Sequence, residues 1–271
     1  MKIKADLHTH STFSDGDMTP SELVRLCKET GINVFSLTDH DCIDGLSEAK
    51  KACEEYGIRF IPGVEISAKE TREIHILGYN FDYTNKEFIE ELQKIRELRH
   101  RRNRLIISAL KKKHLPINEE ELNSKNTPGR KEIARLMVKR GYVKNISEAF
   151  EKYIGFGGPA YINAERPSPE QVIRLINKYG GMAVLAHPYK TGIDENALPE
   201  FIERLKSYGL KGVEVYYPTH SEENISFLKK ITKENKLYMT GGSDFHDRNG
   251  IITMGEENYL FDEGIFNKYL H

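Results

Sequence analysis

Ile3 and Ala5 alternate with Lys2 and Lys4, the period of a strand entering a core, and a polar cluster, Asp6-Leu7-His8-Thr9-His10, begins where that run stops. Thr19-Pro20-Ser21-Glu22 then supplies an N-cap, a proline at the first helical position and a glutamate at the third. Leu23, Leu26 and Cys27 give that helix its apolar stripe, and Gly31 stops it. Residues 33–38 read as a second strand, 45–56 as a helix ending at Gly57, 58–66 as a third strand and 73–79 as a fourth. The rhythm resumes at Ser168-Pro169-Glu170-Gln171, which caps a helix running to Gly180. Strands follow at 182–185, 212–216 and 237–240, helices at 197–208 and 221–235, and one or two short strands within 251–260. This alternation predicts an α/β fold with a mostly parallel sheet. About seven strands in 271 residues favour a closed or nearly closed (β/α) barrel.

Residues 83–161 break the rhythm and read as helices alone. They predict an inserted helical, substrate-binding subdomain, with residues 1–82 and 162–271 forming the barrel. Phe88, Leu92, Ile95, Ile106 and Leu110 make a helical stripe that passes through Arg99 and Arg102. Arginine on an inward stripe is costly unless it meets an anion, and its planar fork suits phosphate. Asn103 is placed to bond a ribose or base, and Arg130 and Arg135, on a second helix, offer another phosphate contact. Lys111-Lys112-Lys113 reads as a solvated helix end.

Polar residues recur at the strand ends: His8, His10 and Asp15; Asp39-His40-Asp41; Glu65; His75; His187; and Asp244-Phe245-His246. In a parallel barrel these ends share one face, where active sites are built. Six of the ten histidines lie at such points, which scattered core or surface histidines would not do. In a strand, His8 and His10 face the same way and can hold one cation. Imidazoles with carboxylates suit divalent ions such as Mn²⁺, Zn²⁺ or Fe²⁺, and nine candidate ligands are enough for two or three. Glu65 and Asp244 are the natural bridges, and a hydroxide shared between ions is a nucleophile at neutral pH. Asp39 is expected to orient a ligand, Asp17 and Asp247 to cap loops, and Asp41 is unassigned. His220 could bind phosphate, assist the leaving group or cap the next helix; His100, His114 and His271 read as surface.

The net charge of −1 argues against a protein that coats nucleic acid. Three cysteines without C-x-x-C spacing fit a reducing compartment and offer no structural zinc site. No stretch approaches 18 apolar residues and the N-terminus lacks an apolar leader, so the expected location is cytoplasmic, with no membrane partner.

The motifs Asp6-Leu7-His8-Thr9-His10-Ser11, Thr38-Asp39-His40-Asp41, Ala186-His187-Pro188 and Gly242-Ser243-Asp244-Phe245-His246 resemble those of the PHP (polymerase and histidinol phosphatase) family. The resemblance implies a distorted seven-stranded barrel holding up to three metals on His8, His10, Asp15, His40, Glu65, His75, His187, Asp244 and His246, with none of the nine ligand types missing. Within the family, the stretches 129–135, 141–143, 157–161 and 214–221 are similar to those of stand-alone phosphoesterases acting on nucleoside 3′,5′-bisphosphates and RNA 5′ ends. Lys131-Glu132 departs from that pattern, since relatives more often carry a less charged pair there.

The expected activity is therefore metal-dependent hydrolysis of a phosphate ester, with Asp15, His40, Glu65, Asp244 and His246 at the chemistry. A small nucleotide or a short RNA 5′ end is the substrate, inorganic phosphate a product, and no stable nucleic-acid complex is expected. Two alternatives stand beside this: a histidinol-phosphate phosphatase, for which the insert would be irrelevant, and a non-catalytic metal- or nucleic-acid-binding module.

Overall fold

The structure is a computed structural model that describes residues 2–122, 127–248, 254 and 260–262, with residues 2 and 260–262 through their backbone. Three parallel strands open the chain: β1 (Lys2–Asp6), β2 (Val34–Leu37) and β3 (Arg59–Lys69), joined through α1 (Pro20–Thr30) and α2 (Leu46–Tyr56). The capping box at Thr19 forms as its sequence predicts, with both reciprocal bonds to Glu22. β4 (Glu73–Tyr79) follows a three-residue turn and runs antiparallel to β3, with Ser67 opposite His75.

After the helical segment come α6 (Pro169–Lys178), β5 (Met182–Leu185), α7 (Leu198–Ser207), β6 (Gly212–Tyr216), α8 (Glu222–Glu234) and β7 (Tyr238–Gly241). β5 is antiparallel to β4, whereas β5, β6 and β7 are mutually parallel. The predicted parallel sheet is thus interrupted at one strand. A three-residue connection cannot make a parallel crossover, which takes a dozen residues or more, so β4 has to turn back.

The sheet order is β7-β6-β5-β4-β3-β2-β1, and β8 (Leu260–Asp262) adds antiparallel to the outer edge of β1. Beyond β8 the same edge receives the continuation of β7. Leu7 N donates to Gly241 O, Asp244 N to His8 O, and His10 N to Phe245 O, which brings the seven strands to a nearly closed barrel. Gly242 makes this seam possible: a Cβ there would sit on the backbone of His8. Of the span 251–260, where one or two strands were expected, only residue 254, in a turn, and residue 260, the first of β8, are described, and His271 lies outside the described residues.

Between β4 and α6 stand α3 (Lys86–Lys112), α4 (Arg130–Lys139) and α5 (Ile146–Ala149). Phe88 and Leu92 on the first half of α3 join the barrel's main hydrophobic cluster. Ile106 and Leu110 on its second half join a separate cluster with Ile133, Met137, Ala149 and Ile154. One long helix is therefore shared between two cores. Arg99 and Arg102 are buried where it passes from one to the other, and Lys111 to Lys113 end it in solvent.

Candidate metal centre

Strand direction decides which side chains meet. The segments after β1, β2, β5 and β7 deliver His8 and His10, His40, His187, and Asp244 and His246 to one mouth of the barrel, and Glu65 joins them from within β3, which runs on four residues past it. His75 reaches the same mouth from the start of β4, not from its end as expected, because that strand runs the other way. Asp15 folds back on the loop after β1, with its Oδ1 3.2 Å from His246 Nε2.

Glu65 is the hub. Its Oε1 lies 2.8 Å from His75 Nδ1, 3.0 Å from His187 Nε2 and 3.4 Å from His8 Nε2, and its Oε2 lies 2.9 Å from His40 Nδ1 and 3.2 Å from His10 Nε2. Asp244 Oδ1 stands 3.1 Å from His10 Nε2 and 3.4 Å from His8 Nε2. Three overlapping groups have ligand atoms within 4.8 Å of one another: His10, Asp15, His40 and His246; His8, His10, Glu65 and Asp244; and His40, Glu65 and His75. The structure thus brings all nine of the residues singled out in the sequence to one place.

The donors fit divalent ions. His8 Nε2, His10 Nε2, His40 Nδ1 and Glu65 Oε2 are closed off from solvent and make no hydrogen bond, a cost that burial imposes unless a cation is accepted there. Nitrogen and oxygen donors without sulfur suit Mn²⁺, Fe²⁺ or Zn²⁺. Cys27, Cys42 and Cys53 are buried free thiols, none of them in the three groups.

Burial disfavours the charged imidazolium, but at His10 the carboxylates of Asp244, Glu65 and Asp15 outweigh it and hold the ring up at about 9. At His75 burial is likewise outweighed by Glu65 and Glu73, again to about 9. His40 goes the other way. Burial, with the Arg99 charge adding to it, brings that ring down to about 4 against the pull of Glu65 and Asp15. Glu65 stays well below the carboxylate range despite its burial, held there by His75, His40 and His8.

A second layer fixes the ligands. Glu214, which the sequence did not single out, places Oε1 2.9 Å from His8 Nδ1 and accepts the His187 backbone N–H at 2.7 Å. Asp39 accepts from Ser11 N, Ser11 Oγ and Ser14 Oγ and so holds the loop that carries Asp15, the orienting role expected of it. Asp6 accepts from His8 N and Ser243 N, and burial raises its carboxyl to about 6. Asp41 pairs with Arg99 at 2.7 Å. Asp17 and Asp247 do not cap loops as expected: both pair with Arg135, which also donates to Asp15 O.

A cavity of about 450 Å³ opens over this cluster, lined by Asp15, His40, Glu65, His75, His187, Asp244 and His246 together with Glu73, Arg99, Arg102, Arg130, Lys131, Phe150 and Lys190. Asn103, Arg135 and His220, expected at the substrate, do not line it. Asn103 is spent within the helical segment, donating to Pro128 O and accepting from Arg102, Arg135 bonds to the loops that carry Asp15 and His246, and His220 Nδ1 meets Val215 O. Glu73, Arg166, Lys190 and Tyr217 were missed. Tyr217 donates to Asp244 Oδ2 at 2.8 Å, and Lys190 touches both.

Residues 6–152 match the PHP domain family. A 5′-3′ exoribonuclease of Haemophilus influenzae is 37% identical over 268 residues, 98% of each chain. A 3′,5′-nucleoside bisphosphate phosphatase of Chromobacterium violaceum is 33% identical across 89% of this chain and 86% of its own. A solved structure from Bifidobacterium adolescentis, assigned as a metal-dependent phosphoesterase, superposes with a TM-score of 0.87 at 28% identity, over 99% of this chain and 96% of that one. With its nine candidate ligands gathered in one place and these relatives covering most of its length, the chain belongs to the PHP domain family and is a metal-dependent phosphoesterase.

Proposed function

We propose that the protein removes the 3′-phosphate of nucleoside 3′,5′-bisphosphates and shortens RNA from its 5′ end, with the helical insert supplying the substrate-binding wall. The observation that carries this is the charge around Glu73. Its carboxylate meets Arg102 at 3.3 Å, Arg130 at 2.5 Å and Arg166 at 2.9 Å, so three guanidiniums converge on one buried anion beside the metal cluster. Burial, with the charges of Arg99, Arg166 and Arg130, pushes Arg102 below the ordinary guanidinium range against the pull of Glu73. That is a surplus of positive charge in a desolvated place, and an anionic ligand relieves it.

Two or three divalent ions on the nine ligands would polarise the scissile phosphate and activate water for in-line attack. The chain's own residues do the rest. Arg102 and Arg130 hold the remote phosphate, and Lys190, beside Asp244, faces the same cavity. Fixing the remote phosphate places the scissile one over the cluster, which is how binding away from the chemistry raises the rate. A substrate with one phosphate leaves Arg102 and Arg130 with Glu73 as their shared counter-charge. Relatives named for an exoribonuclease and a bisphosphate phosphatase support both branches of this reading.

Phosphate release from adenosine 3′,5′-bisphosphate, adenosine 3′-monophosphate and histidinol phosphate tests it. The bisphosphate should be preferred, and Arg130→Ala should reduce that preference about ten- to a hundredfold, the loss of one charge-assisted contact. Equal turnover of mono- and bisphosphate, or a preference for histidinol phosphate, would contradict the assignment.

A further inference from the structure

Phe156 is 56% exposed, one of two large apolar side chains left in solvent among the described residues. Its ring meets that of Tyr161 edge-on at 5.4 Å between centroids, and the Arg72 guanidinium lies 4.5 Å over its face. Inward from Tyr161, Arg130 stands 5.9 Å from that ring and 5.8 Å from the ring of Phe150. Arg130 and Phe150 both line the cavity over the metal cluster. Rings and guanidiniums therefore form one file from the cavity to the surface: Phe150, Arg130, Tyr161, Phe156, Arg72. Three separate pieces of chain build it, namely the β3–β4 turn, the start of α4 and the segment after α5.

Such a mixture of rings and guanidiniums matches the chemistry of a single-stranded nucleic acid. Each base presents a face that stacks on an aromatic ring whatever its identity, and each intervening phosphate calls for a cation. The cavity has the size of a site for one small ligand. Phe156 and Arg72 lie outside its lining, so they meet what extends beyond a nucleotide seated there.

We infer that Phe156, with Tyr161 and Arg72, stacks the base of the second nucleotide of an RNA chain whose 5′ end occupies the cavity. The inference rests on the nucleotide reading above and deepens it, because the file gives oligonucleotides a contact that a bisphosphate lacks.

The test compares kcat/KM for a 5′-phosphorylated RNA pentanucleotide with kcat/KM for adenosine 3′,5′-bisphosphate in the wild type, Phe156→Ala and Phe156→Trp. The ratio of oligomer to bisphosphate should fall about tenfold in the alanine variant, the size of one base–aromatic stack, and be kept by tryptophan. A ratio that does not move in Phe156→Ala overturns the inference. So does a change of oligomeric state on size-exclusion with oligomer turnover intact, which would make the ring a contact between copies of the chain. Wild-type protein inactive on both substrates would instead remove the nucleotide reading beneath it.

Discussion

Glu214 Oε1 lies 2.9 Å from Nδ1 of His8, and both side chains are fully buried below the metal cluster. A proton shared on that side fixes the tautomer of His8 and leaves Nε2 directed at Glu65 and Asp244. The second oxygen of Glu214 holds the backbone of His187, so one carboxylate orients two ligands.

Glu214→Gln keeps the shape and removes the charge. It should weaken divalent-metal binding about ten- to a hundredfold, the usual cost of losing a partner behind a metal-bound imidazole. Titration of the metal-free variant with Mn²⁺, read by calorimetry, checks this. Unchanged affinity would show that Glu214 serves packing alone.

Metal binding should also depend on pH, with a definite sign. His10 and His75 are held at about 9 by their carboxylate neighbours, so at neutral pH protons occupy the nitrogens a cation needs. Apparent metal affinity should therefore rise as pH goes from 7 towards 9, by up to about tenfold per unit for each proton displaced, and binding should release protons. The same titration in buffers of different ionisation enthalpy counts them. No proton release at pH 7 would contradict the geometry of the cluster.

Glu73 stands alone against Arg102, Arg130 and Arg166. Glu73→Gln leaves three buried or half-buried guanidiniums without a counter-charge and should destabilise the fold by about 3–5 kcal/mol. Inorganic phosphate should restore part of that loss, and more than it adds to the wild type, because it supplies the missing anion. Urea unfolding with and without phosphate measures both effects.

The nine candidate ligands were legible in the sequence because most of them sit in short polar clusters that follow apolar strands: His40 after β2, His187 after β5, Asp244 after β7, whereas Glu65 and His75 lie within β3 and β4. What lay behind them was less so. Glu214 is an acidic residue inside a strand, and only the barrel's closure shows that it faces His8 from across the core. The reversal of β4 had a signal that could have been used, since even residues 67–72, read as the link between the third and fourth strands, are too few for a crossover. Arg99 and Arg102 were found on the right stripe, but their partners Asp41 and Glu73 were not. Ion pairs between α3 and the barrel join residues about 30 to 60 positions apart, and no local pattern in the chain records them. Asn103, by contrast, had the right chemistry and the wrong position, being consumed by Pro128 and Arg102 within the helical segment.

One buried cluster of imidazoles and carboxylates is expected to hold the divalent ions on which the phosphoesterase activity depends. The most direct measurement is phosphate release from adenosine 3′,5′-bisphosphate by protein stripped of metal with a chelator and then titrated with Mn²⁺, beside a Glu65→Gln variant. The stripped protein should show no turnover, recovery should saturate with at least two ions per chain, and the variant, whose hub carboxylate is gone, should not recover. Turnover that survives chelation, or full recovery in Glu65→Gln, would contradict that dependence.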